Sequence, residues 1–138
     1  MADVIARHLF RYPRERASML ILEAQMARLL SPGERRAIGL ASARSFLRDA
    51  EPIVWSLGSR SRVRSRFLLE RIKVHRRLAE MAHKDEAEMY LDFCNRDLMA
   101  LEKLVVGRKD KLWEGLYNIQ KQSVGRVSKD VRNIPGAD

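Results

Sequence analysis

Arg62 to Val106 reads RVRSRFLLERIKVHRRLAEMAHKDEAEMYLDFCNRDLMALEKLVV, 45 residues without a glycine or a proline. Straight-chain and alanine residues dominate it, and these lose little on entering a helix. Apolar positions recur at three- and four-residue steps, which is helical rather than strand periodicity. Unbroken, the segment would extend about 67 Å at 1.5 Å per residue, more than a domain of this size is wide. It must therefore bend or fold back, and the polar run His83-Lys84-Asp85-Glu86, where the apolar seams fade, is the expected break.

The flanks read the same way. A short helix is expected over Val4 to Arg11, and Pro13 suits the opening turn of a second, with Ala17, Leu20, Ile21, Ala24 and Met26 to Leu30 at helical spacing. Ser31-Pro32-Gly33-Glu34 has the spacing of a capping box, so a third helix is expected from there to about Asp49. Glu51-Pro52 then breaks or restarts the helix, giving a short apolar turn through Ile53, Val54, Trp55 and Leu57, and Gly58-Ser59 ends it. Gly107 closes the long region, and Lys109 to Val124 forms a last amphipathic helix. The expectation is an all-α helical bundle of about five to six helices with a long central helix or helical hairpin. It comprises a single helical domain over 1–124 and a flexible C-terminal tail over 125–138.

The 138 residues carry 27 Lys and Arg against 18 Asp and Glu, a formal charge of +9. Residues 1–77 hold 17 cations and seven carboxylates; residues 78–138 hold 10 and 11. Of the cations 20 are arginine, whose planar fork suits phosphate, although arginine-rich codon usage gives the same excess without any phosphate. On a helical wheel Arg62, Arg66, Lys73, Arg76 and Arg77 fall within an arc roughly 100° wide. Two apolar seams flank this stripe, Phe67, Val74, Leu78 and Met81 on one side, Leu68, Ile72, His75 and Ala79 on the other. A helix with two such seams has two packing neighbours.

Five cations along one face can follow the phosphates of a nucleic acid, DNA or RNA, with little sequence preference. No Asn or Gln lies among residues 60–80 to read base edges. The function expected is a non-enzymatic, nucleic-acid-associated accessory or regulatory role, with these five residues on the backbone. The alternative is an adaptor or inhibitor that places the same stripe on an acidic protein. A solvated face, or pairing with carboxylates of the same chain, is the ordinary fate of such a stripe.

Leu91, Cys94, Leu98, Leu101 and Val105 follow an a/d spacing and are the expected seam of a homo-oligomer. Catalytic chemistry is not expected. Glu80-x-x-His83 lacks the second copy and further carboxylates that a di-iron site needs, so no metal and no cofactor is implied. Cys94 reads as a small core residue, His75 as a core imidazole, and Trp55, Phe67, Tyr90, Phe93 and Trp113 as core anchors. Glycine-rich phosphate loops, paired-cysteine motifs and a nucleophile elbow are missing. The charged start and the lack of a long apolar run point to a soluble, intracellular, cytoplasmic protein with no membrane partner.

Overall fold

The computed structural model describes residues 12–58 and 61–135. Five α-helices follow one another, with no strand among the described residues: α1 (Pro13–Leu29), α2 (Arg36–Ser56), α3 (Arg62–Met81), α4 (Lys84–Arg108) and α5 (Lys111–Arg132). One 3-10 turn, Gly33–Arg35, precedes α2. The protein is thus all-α and helical-bundle-like, as its periodicity implies. The helix expected over Val4 to Arg11 lies outside the described residues. By their contacts the residues form two compact units, Met1–Phe67 and Leu68–Asp138, with the boundary inside α3.

In the first unit α1 and α2 pair as a helical hairpin. Their buried faces are rich in small residues, Ala17 and Ala24 on α1, Gly39, Ala43 and Ala50 on α2, interleaved with Leu20, Ile21, Leu40, Leu47 and Val54. Small side chains let the backbones approach, and at Gly39 the approach leaves no room for a side chain. A Cβ there would overlap the Ser31 side chain and sit 2.6 Å from the Ala27 carbonyl oxygen. This contact displaces the capping box: no side chain caps the 3-10 turn or α2, Gly33 adopts a φ of +64°, and α2 begins only at Arg36.

Pro52 neither breaks nor restarts the helix; α2 runs through it to Ser56. Proline removes the hydrogen bond to the carbonyl four residues earlier. Pro52 and Arg48 are both exposed, so the freed carbonyl lies on the solvent side of the helix, while Ala50 and Val54 remain buried on the other.

The second unit begins with Leu68 of α3. Arg71 meets Asp97, Ile72 meets Cys94, and His75 meets Tyr90 and Phe93, so numbers rise on one helix as they fall on the other. The long segment is therefore an antiparallel hairpin reversing at Ala82-His83, the expected break, and not one continuous helix. Both seams of α3 are used: Phe67, Leu68, Ile72, Val74, His75 and Ala79 are buried, and only Met81 at the end is exposed.

A second reversal pairs α4 with α5, marked by Tyr117 on Glu102 and by Lys84 Nζ donating to the Ile134 carbonyl at 3.2 Å. Gly107 stays helical; the turn falls at Lys109, whose φ is +52°, and at Asp110. The Asp110 carboxylate caps α5 by accepting from the amides of Leu112 at 3.0 Å and Trp113 at 3.4 Å.

Two expectations fail in this unit for the same reason. Residues 125–132 are helix, not tail, because Val124, Val127 and Val131 continue a buried face begun by Tyr117 and Gln120. Burying each valine is worth about 1.5–3 kcal/mol. That outweighs the roughly 1 kcal/mol lost by placing Gly125 in a helix. The proposed self-association seam, Leu91, Cys94, Leu98, Leu101 and Val105, is at most 6% exposed within one chain. An a/d spacing records a covered face, and here the chain's own helices cover it.

Candidate basic surface

α3 starts at Ser61, whose hydroxyl accepts from the Val63 amide at 3.2 Å while its carbonyl accepts from Arg64. Its first two turns then carry Arg62, Arg64 and Arg66, with no acidic residue in the first turn. Cations are disfavoured at the positive end of a helix dipole. Helix stability does not account for placing three of them there.

Their side chains have separate fates. Arg64 turns back to the end of α2, where Nη2 donates to the carbonyls of Leu57 at 3.1 Å and Trp55 at 3.3 Å, and its guanidinium lies 4.7 Å from the Trp55 ring centroid. Trp55 also meets Phe67 edge-on at 5.7 Å. Trp55 is nevertheless 41% exposed, so it is a rim residue and not the core anchor expected. Arg64 is thereby committed to closing the helix end, a position that suits a cation. Arg62 and Arg66, one turn apart, are exposed and have no ion pair among the described residues.

The remainder of the stripe belongs to the second unit and is not free. Arg76 and Arg77 share Glu80, at 3.9 Å and 3.7 Å, and Lys73 is half-buried. Of the five expected cations, Arg62 and Arg66 are the two that are exposed without an ion pair among the described residues. The signal was present in the sequence, since Glu80 stands four and three residues after the two arginines, the spacings at which helix side chains meet. Arg71, outside the stripe, makes a two-pronged contact with buried Asp97, Nε to Oδ2 and Nη2 to Oδ1 both at 2.8 Å.

Other reactive groups sit in the second unit. The Cys94 thiol is fully buried and donates to the Ile72 carbonyl at 3.5 Å. Burial pushes its pKa up to about 12, with Asp97 adding to the rise and Arg76 opposing it. At neutral pH it is a protonated thiol, not a nucleophile. His75 is buried against Tyr90 and Phe93, with ring centroids at 5.8 and 5.2 Å. His83 precedes α4 and so does not share a helix face with Glu80, and no group of three potential metal ligands occurs among the described residues. An open groove of about 420 Å³ runs between α4 and α5 past Met99, Glu102, Tyr117 and Lys121. In it the Tyr117 hydroxyl donates to Glu102 at 3.0 Å; burial first, then this contact, raises its pKa. No described helix is long and apolar enough to cross a membrane.

No family model, curated protein or solved structure matches this chain.

The division into units sharpens the charge pattern. Residues 1–67 hold 13 cations, all arginine, against six carboxylates; residues 68–138 hold seven Arg and seven Lys against 12 carboxylates. One gene has one codon usage. Codon bias alone leaves this segregation of arginine from lysine unexplained.

Proposed function

We propose that the protein is a non-enzymatic, nucleic-acid-associated accessory protein that holds the phosphate backbone through the arginine-only first unit, with Arg62 and Arg66 as direct contacts. The observation that carries the reading is the pair itself: two exposed guanidinium groups one turn apart, with no carboxylate partner among the described residues, at a helix end whose dipole adds to their field. The arrangement contacts charge and reads no base edge, so binding tolerates sequence and weakens steeply with salt. Arg76 and Arg77, already neutralised in part by Glu80, contribute less.

The test is a gel-shift titration of the full chain against random duplex and single strand at two salt concentrations. R62Q/R66Q is expected to weaken binding and to lower the salt slope by about 2, roughly one unit for each phosphate that is no longer neutralised. R76Q/R77Q is expected to change both less. No complex at low salt, or a complex indifferent to R62Q/R66Q, overturns the reading. Preference for an acidic protein over nucleic acid at equal ionic strength would reassign the same side chains to a protein partner.

A further inference from the structure

The inner face of α1 is Ala17, Leu20, Ile21 and Ala24. On the opposite side Met19, Leu22, Met26 and Leu29 lie 40% to 59% exposed, with Tyr12 in line with them. At 100° per residue these five and Glu15 fall within an arc of about 100°, and their spacing is that of alternating a and d positions in a heptad seam. Scattered apolar residues on a surface need no explanation; a stripe of four, Met19 to Leu29, contiguous over about 15 Å of a helix already anchored from behind, does. It is unrelated to the seam of α4, which the chain itself covers.

The charges beside the stripe identify its partner. One flank carries Arg16 and Glu23, seven residues apart, and the other carries Ser18 and Gln25. In a parallel pair each flank faces the opposite flank of the other helix, which sets Arg16 and Glu23 against no opposite charge. In an antiparallel pair each flank faces its own copy. The register that layers Met19 on Leu22 and Tyr12 on Leu29 of a second chain also brings Arg16 to Glu23, and Ser18 to Gln25, twice each by symmetry. Met26 then lies over the aliphatic stem of Glu15, the weakest layer. Neither Arg16 nor Glu23 has an ion pair among the described residues to give up. Self-complementarity of one patch is what a two-fold interface requires.

We propose that α1 is a self-association surface, on which a second copy of this chain docks antiparallel through Met19, Leu22, Met26 and Leu29, with Arg16 of each copy beside Glu23 of the other. The pairing does not depend on nucleic-acid binding.

Sedimentation of the full chain across low to high micromolar concentration tests it. The wild type is expected to dimerise, and L22E to remain monomeric with unchanged helicity. R16E or E23R alone sets like charges together and is expected to weaken the dimer at least ten-fold. The double reversal R16E/E23R restores opposite charges and is expected to recover most of that loss. A monomer at every concentration overturns the proposal and leaves the face to another partner. So does a dimer unmoved by L22E, or one in which the double variant is no better than the singles. Because R62Q/R66Q leaves α1 intact, its effect on a gel shift and these effects on association separate the two proposals.

Discussion

The two units hold their helices together by different means. In the first, α1 and α2 meet through alanine and glycine interleaved with larger apolar side chains, and the contact admits no Cβ at Gly39. In the second, polar groups link the helices: Arg71 to Asp97, the Cys94 thiol to the Ile72 carbonyl, Tyr117 to Glu102. Small-residue contacts depend on shape and use no charge; of the first unit's arginines, Arg14, Arg35, Arg36, Arg48, Arg62 and Arg66 are exposed, while Arg64 holds the end of α2 and Arg28 and Arg44 have partners of their own. The second unit spends Arg71, Arg76 and Arg77 on carboxylates of its own. Similar helices therefore present different surfaces, according to what joins them.

The contrast is open to direct attack. The largest effect is expected from D97A, which takes the carboxylate from a two-pronged, part-buried ion pair and should cost up to about 3–5 kcal/mol in chemical denaturation. Hydrogen exchange should rise most in α4 and in α3 from Leu68 onward. Because a buried ion pair contributes little against an apolar replacement, R71M/D97L should recover much of the loss. An equal rise in α1 and α2 would dissolve the distinction between the units. Next is G39A, a single added methyl with no charge change. Overpacking of this kind destabilises by about 1–3 kcal/mol. Exchange should accelerate in α1 and α2, and a neutral G39A would mean that the hairpin is looser than its geometry. The smallest effect is favourable: Gly125 is helical and a Cβ there meets nothing within 4 Å. G125A should add about 1 kcal/mol. No gain would return residues 125–132 to the tail that their composition suggests.

Much of the fold is legible in the chain. Periodicity alone supplies the helical class, the reversal near His83 and the two apolar seams of α3, because each depends on neighbours one turn away. Local signals mislead where a distant contact competes with them. Ser31 has the spacing of a cap but is drawn against Gly39; Pro52 is a breaker but falls where its missing hydrogen bond faces solvent. Gly125 is a terminator but stands between valines that a neighbouring helix buries. The candidate surface shows the same limit. The wheel placed five cations on one face correctly as angles, but the side chains are partitioned by partners: Glu80 takes two, and partial burial takes Lys73.

From its residues alone the chain is bound to be helical, to reverse where its apolar seams lapse, and to concentrate arginine in its first half, since composition and local spacing are complete in the sequence. Which apolar stripe is covered and which cation stays free was settled only when helices met. The seam on α4 and the stripe on α1 have the same spacing, yet one is interior and the other exposed. Spacing defines a face, whereas covering it takes side chains that lie far away along the chain and close by in space.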